Sequence, residues 1–131
     1  MPELGAYVDT DKCLDVVKLM RNYFDGLYHA DSKLLADVFH PDAIYINMTK
    51  GDYMNYSLGE YLQIIEQRTS PASQGELKID EIQSIEFGGL EMAFVKAKMT
   101  MMGREYLDFL TLSFDKNGWR VISKIFTYKL Q

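Results

Sequence analysis

Apolar residues in the first half of the chain recur at steps of three and four. Cys13, Val16, Val17, Met20, Tyr23, Phe24 and Leu27 form one such stripe and predict a helix over residues 13–28. Asp9 or Thr10 can cap its start, and Gly26 with the His29-Ala30-Asp31 turn weakens its end. A second, short helix is predicted over residues 32–39 with Asp31 or Ser32 as N-cap. His40 precedes Pro41, and a residue before proline is pushed out of the helical region. Residues 43–48 (AIYINM) predict a strand, whereas 49–56 are polar, aromatic and glycine-containing and predict a loop. Ser57 with Glu60 three residues on has the capping-box spacing. It opens a third helix that carries Leu58, Tyr61, Leu62 and Ile65 and ends before Pro71.

The second half alternates instead. Strands are predicted over 77–87, 92–102, 106–114 and 119–128, separated by the turn signals Gly88-Gly89, Gly103-Arg104 and Asp115-Lys116-Asn117-Gly118. Apolar parity shifts between Ile79 and Ile82, which predicts a bulge or a strong bend near Asp80-Glu81. The linker-like stretch 70–76 is too short to divide domains, so residues 1–131 are expected to form one. Helices grouped before an antiparallel meander define an α+β class. Three N-terminal helices packed on a curved, mainly antiparallel sheet leave a cone, whose mouth is a natural ligand site.

Both faces of the later strands carry apolar residues. By simple alternation Val121 and Ile125 point one way, Ile122 and Phe126 the other. Tyr106, Leu110, Leu112 and Phe114 oppose Leu107 and Phe109. Only one face can pack on the helices. The other is expected either to form a homodimer through the sheet or to be covered by long side chains and the C-terminus.

Composition narrows the function classes. A net charge of -5 removes the electrostatic footprint of a nucleic-acid binder. Cys13 is the single cysteine and cannot close an intrachain disulfide, and two histidines leave few ligands for zinc. The start Met1-Pro2-Glu3-Leu4-Gly5 lacks a basic n-region, and no apolar run approaches the roughly twenty residues of a spanning helix. The expectation is a cytoplasmic protein with no membrane contact. There is no glycine-rich phosphate loop, nucleophile elbow, His-Glu-x-x-His or Cys-x-x-Cys motif. Neither serine hydrolysis nor a metal nor any cofactor is therefore indicated. Nine Tyr, seven Phe and eight Met exceed what a minimal core needs and point to a cavity wall or an interface.

Four segments carry a resemblance to a known group. They are Tyr23-Phe24-Asp25-Gly26-Leu27-Tyr28 with Asp31, Phe39-His40-Pro41-Asp42-Ala43, the stretch from Tyr106 through Asp108 to Leu112, and the last hairpin from Asp115 to Val121 with Lys124 and Phe126. In this order they resemble the nuclear transport factor 2-like superfamily, the cystatin-like cone fold of ketosteroid isomerase and the SnoaL-like polyketide cyclases. The closer likeness is to the branch known as the putative lumazine-binding, SnoaL-like family. The fold hosts enzymes, binders and adaptors, so the resemblance implies a fold more than an activity.

The resemblance also singles out residues. Tyr23, in the context Met20-Arg21-Asn22-Tyr23, falls where ketosteroid isomerase has its oxyanion-hole tyrosine, and a phenol there can donate to a developing enolate. The alternative is a core tyrosine with a satisfied hydroxyl. Asn47 matches the isomerase's catalytic aspartate, counted from Asp42-Ala43. An amide cannot serve as a general base, but it can orient a ligand carbonyl or amide. Asp108 stands on a late strand similar to the one that carries the acid–base aspartate of SnoaL-like cyclases. It is a candidate acid or base with Tyr23 as donor, or else an ion-pair partner of Lys124, Arg104, Lys96 or Lys98.

The wall of the cone is expected to include Tyr45, Asn47, Tyr53, Tyr56, Met99 and Met101, with Met54 nearby, a lining suited to a flat, partly polar ring compound. His40 is counted with the ligand candidates, although its place before Pro41 also fits turn geometry. Cys13 lies on the core stripe without a base partner and is expected to be buried and inert. Three functions remain: a small-molecule-binding domain, a proton-moving isomerase, cyclase or lyase, and a dimerisation or adaptor module with a filled cone.

Overall fold

The computed structural model describes residues 10–131. The chain runs α1 (Thr10–Tyr28), α2 (Ser32–Val38), β1 (Phe39–Asn47), β2 (Met54–Ser57), α3 (Leu58–Gln67), β3 (Ile79–Gly88), β4 (Met92–Met101), β5 (Arg104–Asp115) and β6 (Gly118–Leu130). A single 3-10 turn, Ala72–Gln74, lies between α3 and β3. The strands form one sheet in the order β2-β1-β6-β5-β4-β3. Among the described strands only β1 and β6 pair in parallel; the other neighbours are antiparallel. Three helices on an open, mostly antiparallel sheet make the α+β cone.

Local chemistry explains the helices. Val16, Leu19, Met20, Tyr23, Phe24 and Leu27 of α1 are all buried, so the three-and-four spacing becomes the face that meets the sheet. Gly26 is needed for a close approach. A Cβ there would stand 2.6 Å from Leu35 Cδ2, so a bare backbone lets α1 and α2 close on one another. Asp31 caps α2, its Oδ1 accepting from the Leu34 amide at 3.0 Å. The capping box of α3 is complete. The Glu60 amide donates to Ser57 Oγ at 3.2 Å, and the Ser57 amide donates to Glu60 Oε1 at 3.0 Å. Asp9, the other proposed cap of α1, lies outside the described residues. No helix among the described residues is long and apolar enough to cross a membrane.

The structure corrects the sequence reading in several places. Residues 54–56, expected within a loop, form with Ser57 the short strand β2, because Met54 and Tyr56 pair with Asn47 and Tyr45 at the sheet edge. Strand β1 begins at Phe39 rather than 43. The register shifts between Phe39 and Ile44, and Pro41, which lacks an amide hydrogen, is tolerated in that irregular stretch. The bulge in β3 falls between Ile82 and Ser84, not at Asp80-Glu81.

The alternation in β6 also breaks. Thr111 pairs with Ser123 but Leu112 with Val121, which leaves Ile122 as an extra residue. Val121 and Phe126, expected on opposite faces, are therefore both buried against the helices, together with Lys124. Phe114, expected beside Leu110 and Leu112, is half exposed at the strand end, its ring centroid 5.0 Å from that of Trp119. Cys13 is partly rather than fully buried.

Candidate functional site

Strand register brings the inner-face side chains into two rows. One row places Asn47 beside Phe126 and Phe126 beside Asp108. The next places Tyr45 beside Lys124 and Lys124 beside Leu110. Where these rows face α1 and α3, a cavity of about 270 Å³ opens inside the cone. Its wall is aromatic and apolar on most sides: Tyr45, Tyr56, Tyr61, Tyr106, Phe126, Leu27, Ile64, Met54 and Met101. Asn47, Lys124, Arg68 and Arg104 supply the remaining lining.

Lys124 lies at the centre of this arrangement. It is only 5% exposed. Its ammonium stands 5.0 to 5.3 Å from the ring centroids of Tyr23, Tyr45, Tyr61 and Phe126, within the range of cation–π attraction. It also donates to the Tyr61 hydroxyl at 3.5 Å. Tyr45 stacks on Tyr61 with centroids 4.3 Å apart. Burial pushes the Tyr45 and Tyr61 hydroxyls above the ordinary tyrosine range, so both stay protonated as hydrogen-bond donors.

The sequence-predicted residues divide into three groups. Tyr45, Asn47, Tyr56 and Met101 line the cavity. Met99, Tyr53 and His40 do not. Met99 faces a shallower groove with Tyr106 and Tyr128, and Tyr53 is 62% exposed. His40 Nδ1 accepts from the Asp42 amide at 3.0 Å, which closes a local turn. Tyr23 and Asp108 form the third group. The Tyr23 hydroxyl donates to Asp108 Oδ2 at 2.5 Å, and both side chains are buried in the helix–sheet core outside the cavity lining. Burial first, and then the Asp108 charge, hold the Tyr23 hydroxyl well above its usual range. Asp108 Oδ1 has no hydrogen-bond partner among the described residues. Lys124, Arg104, Lys96 and Lys98, the expected ion-pair partners, do not come within 4 Å of it among the described residues.

Asn47 is already engaged. Its Nδ2 donates to the Asp52 carbonyl at 2.9 Å and to Asp52 Oδ2 at 3.3 Å, and its Oδ1 accepts from the Thr49 amide at 2.9 Å. Tyr128 donates to the same Asp52 oxygen. Asn47 thus fastens the connection between β1 and β2 against β6 while presenting one side to the cavity. The sequence reading missed Lys124, Tyr61, Arg68, Arg104 and Tyr106 as lining. The Ile122 bulge hid Lys124, because unbroken alternation with Val121 inward turns Lys124 outward.

This cone-shaped α+β domain, with a cavity between helices and curved sheet, is of the cystatin-like, nuclear transport factor 2-like class. The chain belongs to the putative lumazine-binding family, whose model matches residues 11–127. No curated protein matches it. Among solved structures it is similar to a nuclear transport factor 2-like protein of unknown function from Shewanella baltica, with a TM-score of 0.82 at 18% identity over 95% of this chain and 99% of that one. Another such protein of unknown function, from Silicibacter pomeroyi, gives 0.76 at 19% over 95% and 100%. A ketosteroid isomerase-like protein from Erwinia carotovora atroseptica gives 0.70 at 11% over 94% and 100%. At these identities the likeness concerns the fold.

Proposed function

We propose that this domain binds a small, flat, partly polar ring compound in the cavity of its cone. The observation that carries the reading is the cavity of about 270 Å³, walled by tyrosines and methionine with a few polar groups converging on it. The volume suits one or two fused rings. A filled adaptor module would leave no such space. Native mass spectrometry of the purified protein tests the proposal, together with Ile64→Phe, which fills the cavity from α3. A retained small molecule that the variant loses supports binding. Absence of any retained molecule, and of any thermal shift with ring compounds, would overturn it.

A second reading, proton transfer by Asp108 with Tyr23 as its donor, is favoured by one observation, the unpartnered buried Oδ1 of Asp108. Among the described residues the cavity lining itself offers hydroxyls, an amide and cations but no carboxylate. A substrate would therefore have to reach past that lining to meet Asp108, which favours binding over catalysis.

The outer sheet face supports a homodimer. Strand register aligns Phe109, Ile125 and Ile46 in one row, and the Phe94 ring lies 5.5 Å from that of Phe109. Phe109 is 45% exposed, and such a row is self-complementary across a two-fold axis. A cytoplasmic location is part of the same reading, and the free thiol of Cys13 agrees with a reducing compartment.

A further inference from the structure

We propose that the ligand of this cavity is an organic anion, a flat compound of one or two rings whose carboxylate or similar oxyanion sits on the Lys124 ammonium. The proposal deepens the small-molecule reading above and rests on it. The chain as a whole is acidic, with a net charge of -5. Yet among the described residues its cavity is lined by Lys124, Arg68 and Arg104 and by no Asp or Glu. Among the described residues none of the three cations has a carboxylate within 4 Å. Removing a cation from water is costly unless an opposite charge or strong acceptor replaces the water. Rings and one long bond to Tyr61 only partly do this for Lys124. Its free ammonium hydrogens can donate to an oxyanion that enters the cavity, and such a charge-assisted bond is stronger than a neutral one.

Burial orders the three cations. Lys124 is enclosed, whereas Arg68 at the end of α3 and Arg104 at the start of β5 are partly exposed. The arrangement suits an anion held at the inner end, with the arginines drawing it in through the mouth. The Tyr61 hydroxyl, held protonated by burial, is a second donor beside the ammonium. Tyr45 and Met101 would flank the ring of the ligand.

Calorimetry with 2-naphthoate and 2-naphthamide tests the charge with the shape held nearly constant. Naphthoate is expected to bind about tenfold to a hundredfold more tightly, the worth of a hydrogen bond to a charged group. Lys124→Met, which keeps most of the side-chain length and removes the charge, should abolish the preference, and Arg68→Gln should reduce it. If Lys124→Met fails to fold by circular dichroism, Arg68→Gln and Arg104→Gln carry the test, and an unchanged preference in both overturns the proposal. Equal binding of the two probes to the unmodified protein also overturns it and leaves the small-molecule reading standing. If neither probe binds, the molecule retained in native mass spectrometry decides. An oxyanion-bearing compound supports the proposal, a neutral one overturns it, and no retained compound together with no thermal shift from any ring compound overturns both readings.

Discussion

The hydroxyl of Tyr23 on α1 reaches Oδ2 of Asp108 on β5, 85 residues away in sequence, at 2.5 Å in a core closed to solvent. This bond ties the first helix to the middle of the sheet. It also gives the buried carboxylate its hydrogen-bond partner, since Oδ1 has none among the described residues.

Removing the donor should therefore cost more than altering the acceptor. Tyr23→Phe leaves a buried carboxylate without partners and is expected to lower stability by about 2 kcal/mol, the usual worth of a hydrogen bond to a charged group. Asp108→Asn keeps an oxygen that can accept from Tyr23 and should cost less. Urea unfolding of both variants measures the order. A Tyr23→Phe protein as stable as the parent would show that the bond contributes nothing.

The capping box of α3 makes an acid-sensitive contact. Bonds from Ser57 to the Glu60 carboxylate, chiefly from the Ser57 amide, hold Glu60 below the ordinary glutamate range. A lowered folded value means that its contribution is complete above the unfolded value, about 4.3, and is lost as pH falls through the lower folded value. Ser57→Ala should cost about 1 kcal/mol at neutral pH as a lost N-cap. Glu60→Gln should flatten the acid limb of stability against pH. Melting curves between neutral and acidic pH check both.

At the alkaline end the sign reverses. Tyr23, Tyr45 and Tyr61 all have hydroxyls raised by burial, so the folded state holds their protons more tightly than the unfolded state. Their contribution is complete below the unfolded value of about 10 and is lost as pH rises through the folded values. Phenolate absorbance should show these three ionising only as the far-ultraviolet helix signal collapses. Smooth titration of the three before unfolding would contradict their burial.

For the outer sheet face, Phe109→Lys sets charges within the proposed two-fold contact. Sedimentation velocity is expected to show a dimer for the parent and a monomer for the variant, with the fold kept because Phe109 points away from the helices. A monomeric parent would leave that face without a second copy.

Much of the fold was legible in the sequence because it is encoded locally. The α1 stripe, the Asp31 cap, the Ser57-Glu60 box and the glycine turns each announce themselves within a few residues. Strand β2 was not legible, since four residues with two inward side chains carry too little periodicity to separate from a loop. The cavity wall was half legible. Tyr45 and Met101 lie on regular strands, so alternation finds them, whereas Tyr53 sits in the connection ahead of β2 and turns to solvent. Arg68 and Arg104 stand at element ends, where a charge ordinarily belongs to solvent, and only the three-dimensional closure of α3 over the sheet makes them lining.

The single surplus residue at Ile122 has a consequence beyond geometry. The slip it forces in the ladder between β5 and β6, rather than residue type, fixes which side of the last strand faces inward beyond it. Were the same residues to run straight from an inward Val121, Lys124 would turn outward and Ile125 would take an inward place, exchanging a charged pocket for a greasy one with no change in composition. Deleting Ile122, by contrast, would remove the slip together with its cause and leave Lys124 facing inward. The polarity of the inner face is therefore written in one irregularity of pairing, not in the kinds of residue that fill the strand.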